Sequence, residues 1–172
     1  MSRLFTGYKM VVVALIICLL CGCEKGQITP ILTDFKCNGT VSLEKVEIAF
    51  EMQIFGGEIF ELTVTSPPNI AGLKFCKNGD KKSVCFDEIT VENEKLGTNF
   101  FAESICEVFE SAKLEGLVAN TKNCKISSKV GLEEYTLSLR ADGFVTGIEI
   151  KSTNLTASFK DFKYIKSGIS KP

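Results

Sequence analysis

Cysteine has the widest chemical range of the residue types in this chain. Cys18, Cys21 and Cys23 crowd the N-terminus, while Cys37, Cys76, Cys85, Cys106 and Cys124 are spread along the rest. Acylation, disulfide formation, metal ligation and nucleophilic attack are all open to a thiol, but each needs partners. Histidine is absent from all 172 residues. That removes the commonest general base, proton shuttle and zinc co-ligand together. No close C-x-x-C pair follows residue 23, so a metal site is not expected. There is no G-x-S-x-G elbow and no phosphate-binding glycine loop. Glu133-Glu134 is a carboxylate pair, but adjacent strand residues point to opposite faces and do not converge on one substrate. Neither an enzyme nor a bound cofactor is expected on these grounds.

One cysteine pair has a geometric case. Residues 73–77 and 84–91 read as strands joined around 78–83. If Phe75 faces Phe86, Cys76 falls directly opposite Cys85. Opposite positions bring Cβ atoms to about 4.5–5.5 Å, whereas a disulfide prefers roughly 3.8 Å. A Cys76–Cys85 disulfide and two free thiols both stay open.

The N-terminal cysteines belong to a different pattern. Arg3 and Lys9 lead into an unbroken apolar run, residues 10–20. As a helix that run is about 16 Å long, roughly half the hydrocarbon thickness of a bilayer. It is too short to span and suits the core of a secretory signal. It ends in Leu20-Cys21-Gly22-Cys23, which resembles the lipobox of bacterial lipoprotein signals: an aliphatic residue, a tolerated small residue, Gly, and the Cys that takes a diacylglyceryl group. Cys21 is the poorer acceptor, because bulky Leu20 would occupy the cleavage position. Residues 1–22 are therefore expected to be a lipoprotein signal peptide, 23–33 a lipidated tether and 34–172 a single domain. Acyl chains such as palmitate on Cys23 bury methylenes at about 0.8 kcal/mol each, and two signals suffice for stable anchoring. The expected location is the extracytoplasmic face of the cell membrane.

Without the signal, 150 residues remain, a single-domain length. They carry 18 basic and 21 acidic residues, a net charge of −3. A slightly acidic domain with scattered lysines is a poor nucleic-acid binder. Tryptophan is absent and phenylalanine occurs thirteen times, so Phe, Ile, Leu and Val must build the core.

Apolar periodicity supplies the elements. Phe35, Cys37, Gly39, Val41 and Leu43 repeat every second residue, as do Val46 through Ile54 and then Phe60, Leu62 and Val64. A three-residue loop at 56–58 sets Ile54 opposite Phe60, Met52 opposite Leu62 and Phe50 opposite Val64, so the apolar faces coincide. Ser66-Pro67-Pro68 ends that strand. Phe101, Ile105, Val108, Phe109 and Ala112 repeat at helical spacing over 99–114, with Glu103, Glu107 and Glu110 off that stripe. Residues 117–123 read as a loop. Strands follow at 124–130, 133–141, 144–152 and 155–162. The Asp142-Gly143 turn sets Leu139 opposite Thr146, Leu137 opposite Ile148 and Tyr135 opposite Ile150.

The order of strands, one helix and a closing meander resembles the LolA/LolB-like lipoprotein superfamily, in particular its small lipobox-bearing bacterial members of Gram-positive type. The resemblance rests on Phe60-Glu61-Leu62-Thr63-Val64-Thr65-Ser66-Pro67, on Ile70-Ala71-Gly72-Leu73-Lys74-Phe75, on the hairpin from Leu137 to Ile150, and on Ala157-Ser158-Phe159-Lys160-Asp161-Phe162. It implies an α+β, mainly β fold of the LolA/LppX type: a strongly curved antiparallel sheet forming an unclosed half-barrel, covered by one main α-helix. It further implies a cleft that binds or transfers lipid or another apolar ligand. The cleft would be lined by Ile48, Phe50, Met52, Leu62, Val64, Phe75, Phe86, Tyr135, Leu137, Ile148 and Ile150, with Phe101, Ile105 and Phe109 as its lid. The alternative is a non-enzymatic envelope scaffold, or interaction lipoprotein, whose core is filled and whose partner is another envelope protein. The chain departs from the soluble carriers in its anchor, its lack of tryptophan and the lack of a long helix before the first strand.

Overall fold

The computed structural model describes residues 29–30, 34–43, 46–92, 100–114, 118–119 and 124–165. Among them, strands β2 (Phe35–Leu43), β3 (Val46–Phe55) and β4 (Ile59–Ser66) bury every second side chain, as the period-two pattern requires. The β3–β4 turn uses Gly56 and Gly57 at φ 62° and 65°, a backbone region that only glycine enters at no steric cost. The expected register holds: Ile54 pairs with Phe60, Met52 with Leu62 and Phe50 with Val64.

β5 (Lys74–Asn78), β6 (Lys81–Phe86) and β7 (Ile89–Glu92) continue the sheet, and here the expected register is corrected. Gly79 at φ 57° closes a tight turn with Asp80, with glycine first in a two-residue hairpin loop. Phe75 therefore pairs with Val84, Cys76 with Ser83 and Lys74 with Cys85. Cys76 and Cys85 share a face but sit two residues out of register, and both thiols are free. The segment expected as one strand over 84–91 is broken at Asp87, whose φ is 51°, so that β7 folds back on β6 as the sheet edge.

The helix α1 (Phe101–Leu114) begins where the Phe100 carbonyl accepts from the amides of Glu103 and Ser104. Beyond it, β8 (Val118–Ala119) pairs antiparallel with β1 (Thr29–Pro30). The loop expected at 117–123 thus contains a short strand, and part of the expected tether is hydrogen-bonded to it. The chain then forms β9 (Cys124–Val130), β10 (Glu133–Leu139), β11 (Val145–Ile150) and β12 (Leu155–Tyr164). Tyr135 pairs with Ile150 and Leu137 with Ile148 as expected. Near the turn, however, Leu139 meets Val145 across a bulge, because Arg140 and Phe144 close a three-residue loop. One extra residue on one strand is what a bulge absorbs.

Among the described residues, ten strands form one antiparallel sheet in the order β7-β6-β5-β4-β3-β2-β12-β11-β10-β9. The two arms of the chain meet at the β2–β12 seam, where Val41 pairs with Ala157 and Gly39 with Phe159. The curl of this sheet follows from what the helix touches. Glu110 is paired with Lys77 on β5, while its neighbour Ser111 donates to the Lys129 carbonyl on β9 at 3.1 Å. Those strands are seven steps apart, about 34 Å in a flat sheet, whereas a helix is only 10–12 Å across with its side chains. The sheet must wrap around α1. It is an unclosed half-barrel, and the helix sits between its two arms.

Candidate functional site

The interior between α1 and the sheet is built from aromatic and aliphatic side chains. Helical spacing puts Phe101, Ala102, Ile105, Cys106, Val108, Phe109 and Ala112 on the buried face of α1. They meet sheet residues directly. The Phe101 ring centroid lies 6.3 Å from that of Phe50, and Phe109 lies 6.0 Å from Phe35 and 5.8 Å from Phe159. Such tilted and edge-on pairs stabilise by about 0.5–1.5 kcal/mol beyond area burial.

Thirteen of the fourteen residues expected to line the cleft lie buried in this one cluster: Ile48, Phe50, Met52, Leu62, Val64, Phe75, Phe101, Ile105, Phe109, Tyr135, Leu137, Ile148 and Ile150. Phe86 does not join them. It lies on β6 beside the edge strand, only half-buried, and pairs with Ile89, which is 67% exposed. The tight Gly79-Asp80 turn shifts β6 by two residues, so Val84 takes the place opposite Phe75 that Phe86 was expected to hold. Cys23 lies outside the described residues.

The buried residues interlock. The hollow between α1 and the β3–β4 turn is about 20 Å³ and is lined by Ile54, Ile59, Phe60, Cys106 and Phe109, with Gly57, Glu58, Glu110 and Lys113 at its lip. That is room for a water molecule, whereas an apolar cavity of about 150 Å³ holds benzene. A larger concavity, about 370 Å³, lies on the other face of the sheet. It is polar, and its groups largely satisfy one another: Asn38 donates to Asp161 at 3.1 Å and Gln53 to Glu61 at 2.6 Å.

The edges of α1 are held by polar side chains. Lys77 pairs with Glu110, and Lys82 with Glu103 and, at 3.5 Å, with Glu107. Lys113 Nζ donates to the Gly57 carbonyl at 3.1 Å. On the opposite side the Tyr135 hydroxyl donates to Ser111 at 3.3 Å. Glu103, read from sequence as off the buried stripe, is only 7% exposed, because a lysine from the curled sheet reaches over to meet it. Burial disfavours the Lys82 ammonium, but its hydrogen bond to Glu103 and the charges of Glu103 and Glu107 outweigh this and raise its pKa. Sequence reading missed these lysines. Their signal is faint: Lys77 and Lys82 directly face each other across the β5–β6 pair, a repulsive arrangement unless acids lie nearby.

Burial also fixes the character of the thiols. Cys37 and Cys106 are pushed up to about 12 by loss of solvent, so at neutral pH they are protonated and unreactive. Among the described residues, no group of three or more His, Cys, Asp or Glu is placed to hold a metal ion, and no helix is long and apolar enough to cross a membrane.

No protein-family model matches this chain, and no curated protein matches it. Among solved structures it is similar to the crystal structure of a LolA superfamily protein from Nitrosomonas europaea, at 11% sequence identity and a TM-score of 0.44, over 82% of this chain and 90% of that chain.

Proposed function

We propose that this chain is a lipoprotein, anchored through Cys23 on the extracytoplasmic face of the membrane, that takes up an acyl chain or another apolar ligand between α1 and the half-barrel. The structure is then its closed form. One observation carries the reading: the helix fills an otherwise all-apolar trough and is held at its edges by side-chain contacts. The ion pairs of Lys77 and Lys82 and the Lys113–Gly57 hydrogen bond can part without unravelling the sheet. An acyl chain entering beneath α1 exchanges one set of apolar contacts for another, so the hydrophobic cost of displacing the helix is largely offset.

The second reading, a non-enzymatic scaffold that contacts an envelope protein, is favoured by the small volume of the hollow, about 20 Å³. Native mass spectrometry separates the two. Residues 23–172 without the lipid anchor, incubated with a fluorescent fatty acid, should gain the mass of one ligand and shift its emission to the blue. A protein that stays at its apo mass across the whole titration leaves only the scaffold.

A further inference from the structure

The hollow beside the β3–β4 turn differs from the rest of the interior in having a charged lip. Its walls are apolar, including Phe60, Cys106 and Phe109, and Lys113 stands at its mouth. The cations on this flank of the helix are otherwise matched by carboxylates, Lys77 by Glu110 and Lys82 by Glu103. Lys113 instead rests on a neutral acceptor, the Gly57 carbonyl. The ammonium packs against the bare Gly57 backbone, and a Cβ there would lie 2.5 Å from its nitrogen, so a side chain at that position would move the lysine aside. Glu58 on the same turn is exposed and forms no ion pair with Lys113 among the described residues. An ammonium beside a greasy opening, held only by an uncharged carbonyl acceptor, is matched by an anion carrying an apolar tail, because an ionised acceptor adds coulombic attraction to the hydrogen bond.

We propose that Lys113 is the headgroup residue of the site. It exchanges the Gly57 carbonyl for the carboxylate or phosphate of a single-chain amphiphile, whose tail passes between Phe60 and Phe109 as α1 shifts. This deepens the lipid-binding reading and rests on it. The pairing of β1 with β8 supports the placement. The segment that leads from Cys23 is hydrogen-bonded four residues beyond the end of α1, so the anchored end of the chain and the Lys113 end of the helix are joined through one short stretch of backbone.

The test uses the full chain in phosphatidylcholine vesicles at pH 8, offered a photoactivatable twelve-carbon fatty acid, the matching alkyl phosphate or the matching alcohol. Labelling is read by mass spectrometry. The wild type should be labelled about tenfold more by one or both anions than by the alcohol, and the preferred anion names the head. Lys113→Ala should bring the ratio close to one, and Lys113→Arg should keep it. A merely structural role at the helix C-terminus would leave the ratio untouched. A ratio that survives Lys113→Ala, or equal labelling of the wild type by acid and alcohol, overturns the headgroup assignment while leaving apolar binding intact. Absence of labelling by all three probes overturns the lipid-binding reading itself.

Discussion

Gly39 offers a sharp test of how the inner layer is packed. It lies mid-strand in β2, directly opposite Phe50 on β3, and a Cβ built there would meet two atoms of the Phe50 ring at 2.4 Å. Ordinary contact begins about 1 Å further out. The ring has little room to retreat, because Phe101 of the helix and Phe159 of β12 lie 6.3 and 6.0 Å away, centroid to centroid. Overpacking of this kind costs about 1–3 kcal/mol. Replacing a strand glycine returns about 0.5–1 kcal/mol through reduced freedom of the unfolded chain. At the centre of these ranges Gly39→Ala should therefore destabilise the domain by about 1 kcal/mol, lowering Tm by about 3 °C. Urea and thermal unfolding followed by circular dichroism would measure it. In a Phe50→Leu background the same substitution should be neutral or mildly stabilising, since the clashing ring atoms are gone. A Gly39→Ala protein at least as stable as its parent would refute the stacking of Phe50 over Gly39, and with it the Phe50–Phe101 contact that seats the helix.

Three further outcomes are expected. Lys82→Met leaves the Glu103 carboxylate buried without its cation and should cost about 3 kcal/mol, whereas Lys82→Met with Glu103→Leu should recover most of it; equal urea midpoints for the single and double variants would contradict the buried pairing. With iodoacetamide at pH 8, Cys76 and Cys85 should label in the folded protein while Cys37 and Cys106 label only in urea; because the pKa values of the latter two are raised in the folded state, stability should hold up to about pH 9 and fall between pH 9 and 12, where the unfolded chain has already lost those protons. Cells fed labelled palmitate should incorporate it into the wild-type chain and not into Cys23→Ser, and persistent labelling of that variant would remove Cys23 as the anchor.

Much of the sheet is legible in the residues because the long strands carry three to five apolar side chains in alternation. A slip of one position in β3 against β4 would turn Phe50, Met52 and Ile54 to solvent, so only one register is compatible with burial. The same logic does not reach β5 and β6. Their alternation is short, and an even slip keeps Phe75 inward with either Val84 or Phe86 opposite it, so the choice falls to the backbone of Gly79. Burial of Glu103 could not be read from the helical wheel, because its partner Lys82 arrives only once the sheet has curled. The β1–β8 pair is four residues in all, with no periodicity to reveal it. Least legible is the state of the interior, since alternating strands and an amphipathic helix look alike whether they enclose a void or interlock. Packing of Phe35, Phe109 and Phe159 decides that, and it depends on the curvature of the whole sheet.

The β2–β12 seam has a consequence for how this chain reaches its native state. Every other pairing in the large sheet joins strands that neighbour each other along the chain, apart from the break at the helix, so each arm assembles from local hairpins. The seam alone ties residue 40 to residue 158, a separation of 118. A chain emerging N-terminus first completes β2 through β7 while the free side of β2 waits, unpaired, for the final strand to be made. That delay exposes an apolar surface to misassociation, and closing so long a loop slows the last step. The waiting time is a matter of connectivity. Ile165 donates to the Asp34 carbonyl at 3.1 Å, so the two ends of the domain already touch. A permuted chain joined there and opened between β7 and α1, where no two paired strands of the large sheet are parted, would make the seam a local hairpin, and the slowest folding phase should quicken without any change to the finished structure.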